Sequence, residues 1–124
     1  MRQEKPTGGK TILLADDEPQ IRSILYDLLI NSGYNVIEAV DGLDALEKYK
    51  NNIQDIKLVI TDIIMPRMDG ISSYRIMNTI TPSLKVIFIS GYASDQTLPD
   101  GANIFAKPFS PIDVLKAVNS ILSN

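Results

Sequence analysis

The 124-residue chain contains neither cysteine nor histidine. The first absence removes disulfides and thiolate metal sites, and it suits a reducing cytoplasm. The second removes the commonest general base and transition-metal ligand, so any chemistry must come from carboxylates, hydroxyls and lysines acting with a hard cation. Long apolar runs are missing as well. None approaches the roughly 18 residues of a membrane span, and the opening MRQEKPTGGK lacks the apolar core of a signal peptide. The sequence therefore reads as a soluble, cytoplasmic protein with no membrane contact. Basic clusters are also absent. The 12 Lys and Arg are scattered from Arg2 to Lys116 against 15 Asp and Glu, giving a net charge of -3. That pattern argues against nucleic acid and leaves other proteins as the expected partners.

What is present fits one domain with a substantial core, since 44% of the residues are apolar. Residues 1–10 are polar, carry Pro6, Gly8 and Gly9, and read as a flexible leader. Beyond them short apolar runs alternate with helical patterns. The runs predict strands at Thr11 to Ala15, Tyr34 to Ala39, Leu58 to Thr61, Val86 to Ile89 and Asn103 to Ala106. Ile21, Ile24, Leu25, Leu28 and Leu29 recur at helical spacing, and Ser32-Gly33 would close that helix. A second helix is expected from about Gly42 with Asp41 as cap, and a third from about Ile71 to Ile80. The last follows Ser110-Pro111, with Val114, Leu115, Val118, Ile121 and Leu122 on one face. The fourth crossover is short, with room for one or two helical turns around Ser94 to Leu98. The fold class is thus α/β, a flavodoxin-like, doubly wound sheet of five parallel strands in the order 2-1-3-4-5, with a shortened fourth helix.

This order gathers the unusual polar residues. Asp16 and Asp17 follow the first strand, Asp62 the third, Ser90 the fourth and Lys107 the fifth, all at carboxyl ends, where open parallel sheets bind ligands. The second strand, at the outer edge, ends in Ala39-Val40 and adds nothing comparable. Three carboxylates converging beside one lysine call for raised pKa values or a bound cation. Oxygen ligands without histidine point to Mg2+, which takes few carboxylates and completes its shell with water and phosphate oxygens. Asp62 would then be a nucleophile toward a phosphoryl group, with Ser90 and Lys107 holding its other oxygens.

Each residue also has a plainer reading. Asp16-Asp17 suits a helix cap beside Pro19, Ser90 suits a strand-end turn, and Lys107-Pro108 suits a surface turn. Met65, Pro66, Asp69 and Gly70 read as the loop and cap that begin the third helix. The five-residue set outweighs these readings, because every member falls at a strand end and the second strand is skipped.

The stretches ADDEP (15–19), TDIIMPRMDG (61–70), SGYA (90–93) and KPF (107–109) resemble the receiver domain of two-component response regulators, across about residues 10–123. The resemblance implies a receiver domain at residues 11–124 in which Asp62 is the phosphoacceptor. It takes its phosphoryl group from a histidine kinase or histidine phosphotransfer protein, or from small donors such as acetyl phosphate. It further implies that Asp17 ligates Mg2+ directly with Asp16 assisting, often through water, and that Asp62 and the backbone carbonyl of Ile64 complete the protein ligands. Ser90 and Lys107 would bind the phosphoryl group, and the Lys107-Pro108 bond would be cis. Such a protein is a switch rather than an enzyme: it assists its own phosphorylation and dephosphorylation and alters its contacts with a downstream partner.

The pattern departs from the family at Ile104, where an aromatic usually stands three residues before the lysine. Phe105 is one residue late and should face the other side of the sheet, leaving Tyr92 or another surface to carry the signal. Ile64 and Tyr92, each two residues after a site residue, are bulky and non-acidic, and are expected to shield a phosphoryl group from water. An aspartate-nucleophile phosphatase of the haloacid dehalogenase type would want an acid at Ile64. A flavodoxin-type nucleotide binder would be repelled by Asp16-Asp17-Glu18. A degenerate receiver serving as a phosphorylation-independent scaffold is disfavoured by the intact set. With 17 residues after Lys107, the chain reads as a stand-alone receiver or a piece of a hybrid kinase.

Overall fold

Strand alternation sorts the apolar residues into two cores, one on each side of a single sheet. The structure, a computed structural model, describes residues 9–91 and 98–123. Its elements run β1 (Thr11–Ala15), α1 (Pro19–Asn31), β2 (Asn35–Ala39), α2 (Gly42–Lys50), β3 (Ile56–Asp62), α3 (Gly70–Ile80), β4 (Lys85–Ser90), β5 (Asn103–Ala106) and α4 (Pro111–Leu122). The five strands are parallel and lie in the order β2-β1-β3-β4-β5. Leu13, Ala15, Val59, Val86 and Phe88 pack with Tyr49, Ile71, Tyr74 and Met77 of α2 and α3. Ile12, Leu14, Leu58, Ile60, Ile87 and Ile89 pack with Leu25, Leu29, Val114 and Val118 of α1 and α4. Both faces of the central strands are therefore dry, which is why their sequences are nearly all apolar.

The helix ends carry the expected caps. Asp41 accepts from the amide of Asp44 at 2.8 Å and Asp69 from that of Ser72 at 2.8 Å. Ser110 caps α4 ahead of Pro111. Gly33, at φ 99°, turns the chain out of α1 and donates to the carbonyl of Ile30. Gly70 is fixed by space: a Cβ there would collide with the carbonyl of Asp62, so only glycine lets α3 start beneath the end of β3.

Several expectations shift. β3 and β4 each run one residue further than predicted, so Asp62 and Ser90 are terminal strand residues rather than the residues after the strands. The reason is the ladder: Asp62 still pairs with Ile89, and the amide of Ile63 still donates to the carbonyl of Ile89. In α1 only Leu25 and Leu29 are fully buried, and Ile24 is 52% exposed although it lies on the apolar stripe. Hydrogen bonding to the fold begins before β1, since the carbonyl of Lys10 accepts from the amide of Asn35 and its ammonium donates to the carbonyl of Leu122. Most of the expected leader, the expected helical turns at Ser94 to Leu98 apart from Leu98 itself, and Tyr92 lie outside the described residues. The described remainder of that crossover holds a turn, with the amide of Ala102 donating to the carbonyl of Pro99. Ile104 pairs with Phe88 and shares its side of the sheet, 47% exposed, while Phe105 packs into the opposite core. The two residues thus face apart as strand alternation requires. Among the described residues no helix is long and apolar enough to cross a membrane.

Candidate functional site

Three adjacent strand ends and the loop after a fourth meet at one edge of the sheet. β1 delivers Asp16, which is 1% exposed, and Asp17, which is exposed at the rim. β3 delivers Asp62, 5% exposed, and β4 delivers the buried Ser90. The backbone carbonyl of Ser90 accepts from the amide of Lys107 at 2.7 Å, which sets the lysine beside the end of β4. The Lys107-Pro108 bond is cis.

Lys107 reaches back across the site. Its ammonium donates to Asp62 Oδ2 at 2.9 Å and lies 3.7 Å from Asp16 Oδ2. One ligand oxygen from each of Asp16, Asp17 and Asp62 lies within 4.8 Å of the others, close enough to share a cation. Asp16 is held on its other side, its Oδ1 accepting from the amide of Glu18 at 2.9 Å. Its Oδ2 is buried without a hydrogen-bond partner, because Lys107 is too distant for a bond. An orphaned carboxylate oxygen beside two further carboxylates fits a hard, oxygen-seeking cation such as Mg2+.

The charges are strained accordingly. Burial, reinforced by the charge of Asp62, pushes Asp16 up to about 6. Burial likewise raises Asp62 against the opposing hydrogen bond and charge of Lys107. Lys107 is pulled down by burial, but its hydrogen bonds to Glu18 and Asp62 outweigh this and hold it above the ordinary lysine value. Ile64, two residues beyond Asp62, is 50% exposed.

The structure brings together Asp16, Asp17, Asp62 and Lys107 through their side chains, and Ser90 through its strand position and its bond to Lys107. It also adds residues that the sequence reading passed over. Glu18 Oε1 accepts from Lys107 Nζ at 2.9 Å. Glu18 directly follows Asp16-Asp17 in the sequence, but no local spacing announces its reach to Lys107, 89 positions away. Arg22 donates to the carbonyl of Asp16 at 2.6 Å and steadies the β1–α1 loop. Arg67 pairs with Asp41 across 26 positions, and no local spacing announces that pair. Beside the site lies a groove of about 410 Å3 lined by Ile21, Ile24, Lys107, Pro108, Phe109 and Pro111.

Known proteins resemble this chain in sequence and fold. Residues 12–119 match the family model described as the response regulator receiver domain. The response regulator receiver protein CpdR of Brucella abortus is 36% identical over 118 residues, covering 91% of this chain and 97% of that protein. The sensor kinase CckA of the same organism is 36% identical over 94% of this chain, which spans only 13% of the kinase. Among solved structures, the CheX-CheY-BeF3-Mg2+ complex of Borrelia burgdorferi superposes with a TM-score of 0.82 at 32% identity, over 93% of this chain and 90% of that one. The chain belongs to the response regulator receiver domain family and has the phosphoacceptor signalling role of two-component systems.

Proposed function

We propose that Asp62 is the phosphoacceptor and that Mg2+ binds beside it, held by Asp17 and Asp62, by Asp16 in part through water, and by the backbone carbonyl of Ile64. The observation that carries this reading is the ammonium of Lys107 at 2.9 Å from Asp62 Oδ2, next to three carboxylates whose ligand atoms lie within 4.8 Å of one another. When bound, Mg2+ supplies positive charge that offsets the carboxylates and the phosphoryl oxygens.

The chain's own residues do the rest. A carboxylate oxygen of Asp62 attacks the phosphorus of a phosphohistidine. The new P–O bond forms as the P–N bond breaks, and the leaving imidazole takes a proton from solvent. Acetyl phosphate reacts in the same way, releasing acetate. The Ser90 hydroxyl and the Lys107 ammonium hold the remaining phosphoryl oxygens, so the contribution is positioning and electrostatics. The protein turns over no separate substrate and assists only its own phosphorylation and dephosphorylation.

The donor is a histidine kinase or a histidine phosphotransfer protein in the cytoplasm, a reading supported by the likeness to CckA and by the apolar groove that borders Lys107. Residues 11–124 form the receiver unit, to which Gly9 and Lys10 are also hydrogen-bonded. The phosphorylated state alters contacts with a downstream protein. Amide NMR spectra of the protein with Mg2+ and beryllofluoride or acetyl phosphate test the proposal. Shifts centred on β1, β3 and β4 ends are expected in the wild type and should vanish in Asp62→Asn. Shifts that persist without Asp62 would sink it.

A further inference from the structure

Glu18 occupies the position that opens α1, yet its side chain makes no bond to that helix. A capping side chain ordinarily accepts from the amide of the second or third helical residue, and Pro19 at the first helical position leaves those amides in place. The carboxylate turns instead across the site. Its Oε1 accepts from Lys107 Nζ at 2.9 Å, a bond spanning 89 positions of sequence. Lys107 Nζ simultaneously donates to Asp62 Oδ2 at 2.9 Å. The lysine is thus shared between one half-exposed carboxylate and one buried carboxylate, with side-chain exposures of 52% and 7%. Through its backbone Glu18 also donates to Asp16 Oδ1, so the same residue touches both flanks of the acidic cluster.

We propose that Glu18 is a positioning residue acting through Lys107: it competes with the phosphoryl group for the ammonium, and so limits how readily Asp62 is phosphorylated and how long the phosphoryl group stays. The inference rests on Asp62 being the phosphoacceptor. Phosphorylation adds roughly two negative charges within reach of the lysine and removes one oxygen of Asp62 from ionic pairing. The ammonium has three protons to distribute. Any bond kept with Glu18 leaves fewer for the phosphoryl oxygens, and the Glu18 charge itself repels the incoming group. Both effects oppose the phosphorylated state. Because Glu18 is half exposed, the repulsive part is screened by salt.

The test compares wild type with Glu18→Gln, which keeps size and polarity but removes the charge, and with Glu18→Asp, which keeps the charge on a shorter stem. The readouts are the dissociation constant for beryllofluoride in saturating Mg2+, followed by NMR, and the phosphoaspartate half-life after acetyl phosphate loading. At low ionic strength Glu18→Gln should bind beryllofluoride about two- to fivefold more tightly, in line with the range for single exposed ion pairs, and hold phosphate longer by a similar factor. The difference should shrink in high salt, and Glu18→Asp should lie between Gln and wild type. Glu18→Lys serves as an independent variant and should exceed the Gln effect. Binding that is unchanged or weaker in Gln and Lys variants, or a gain that ignores salt, would overturn the proposal. Asp62→Asn run alongside separates the two levels: a wild type with no Asp62-dependent response defeats the phosphoacceptor reading, whereas a responsive wild type with silent Glu18 variants defeats only the competition.

Discussion

Arg67 and Asp41 meet in a two-point ion pair, Nε to Oδ2 at 2.7 Å and Nη2 to Oδ1 at 3.2 Å. Asp41 is buried and at the same time caps α2, while Arg67 lies in the loop between β3 and α3 with a φ of 67°. The pair therefore ties the start of one helix to the loop that carries Ile64. Two further bonds reinforce it, from the amide of Gly42 to the carbonyl of Met68 and from the Ser73 hydroxyl to the carbonyl of Gly42. Asp41→Ala removes both cap and anchor and is expected to lower stability by about 1–2 kcal/mol in urea unfolding. Asp41→Asn keeps an acceptor for Asp44 and should lose clearly less. Arg67→Gly breaks the ion pair but suits the left-handed backbone, so its melting temperature should stay within a few degrees of wild type. Equal losses in Asp41→Ala and Asp41→Asn would show that charge, not capping, governs this corner.

The acidic cluster predicts an unusual pH dependence for the metal-free protein. Asp16 keeps its proton up to about 6 in the folded state and loses it near 3.8 when unfolded. Between those values the native state binds more protons, so stability falls as pH rises. The contribution is complete below about 3.8 and gone above about 6. Asp62 acts in the same direction. Asp41 has the opposite sign: Arg67 holds it below the usual carboxylate range, so its contribution is present above about 3.8 and is lost as pH falls through its depressed value. Between pH 4 and 7, unfolding in chelator should therefore show a loss on the order of 1–2 kcal/mol, after discounting the shift for solvent screening. Asp16→Asn should flatten that slope. A wild-type stability that rises over the same interval would mean that Asp16 ionises at no expense.

The sheet was legible because Leu58, Val59 and Ile60 are each buried, on alternating sides of the same strand, which leaves a run no helix of that length explains. The site was legible because Asp62, Ser90 and Lys107 fall where those runs stop. What could not be read was anything set by long-range contact. Asp62 and Ser90 belong to their strands only because β4 continues the ladder beside them. The exposure of Ile24 depends on a groove whose far wall is Pro108, Phe109 and Pro111. The partners of Arg67 and Glu18 lie 26 and 89 positions away, beyond any periodicity.

Ile64 offers a test of the shielding expected from its bulk. It is half exposed beside Asp62, so Ile64→Ala should leave stability within about 0.5 kcal/mol. Removing the side chain opens an approach for water to the phosphoryl group. Loss of phosphate from loaded Ile64→Ala is expected to be several times faster than from wild type, read by release of radiolabelled phosphate. Slower loss would reverse the idea, and an unchanged rate would show that Ile64 does not gate water.

Ile24 separates docking from chemistry. It lies with Ile21 on α1 and faces Pro108, Phe109 and Pro111 across the groove that borders Lys107, leaving an apolar surface 52% open at the residue itself. Ile24→Glu touches neither the acidic cluster nor either core, so the fold should persist with less than about 0.5 kcal/mol of change. A protein donor that seats its phosphohistidine over Asp62 must cover this groove, and a buried charge facing its apolar anchor is strongly unfavourable. Transfer from a histidine-phosphorylated protein should therefore slow by about tenfold, equivalent to a loss near 1.4 kcal/mol, while loading by acetyl phosphate stays at the wild-type rate. That small donor reaches Asp62 without resting on α1. Equal slowing with both donors would place the effect at Asp62, and no slowing with either would remove the groove from the docking face.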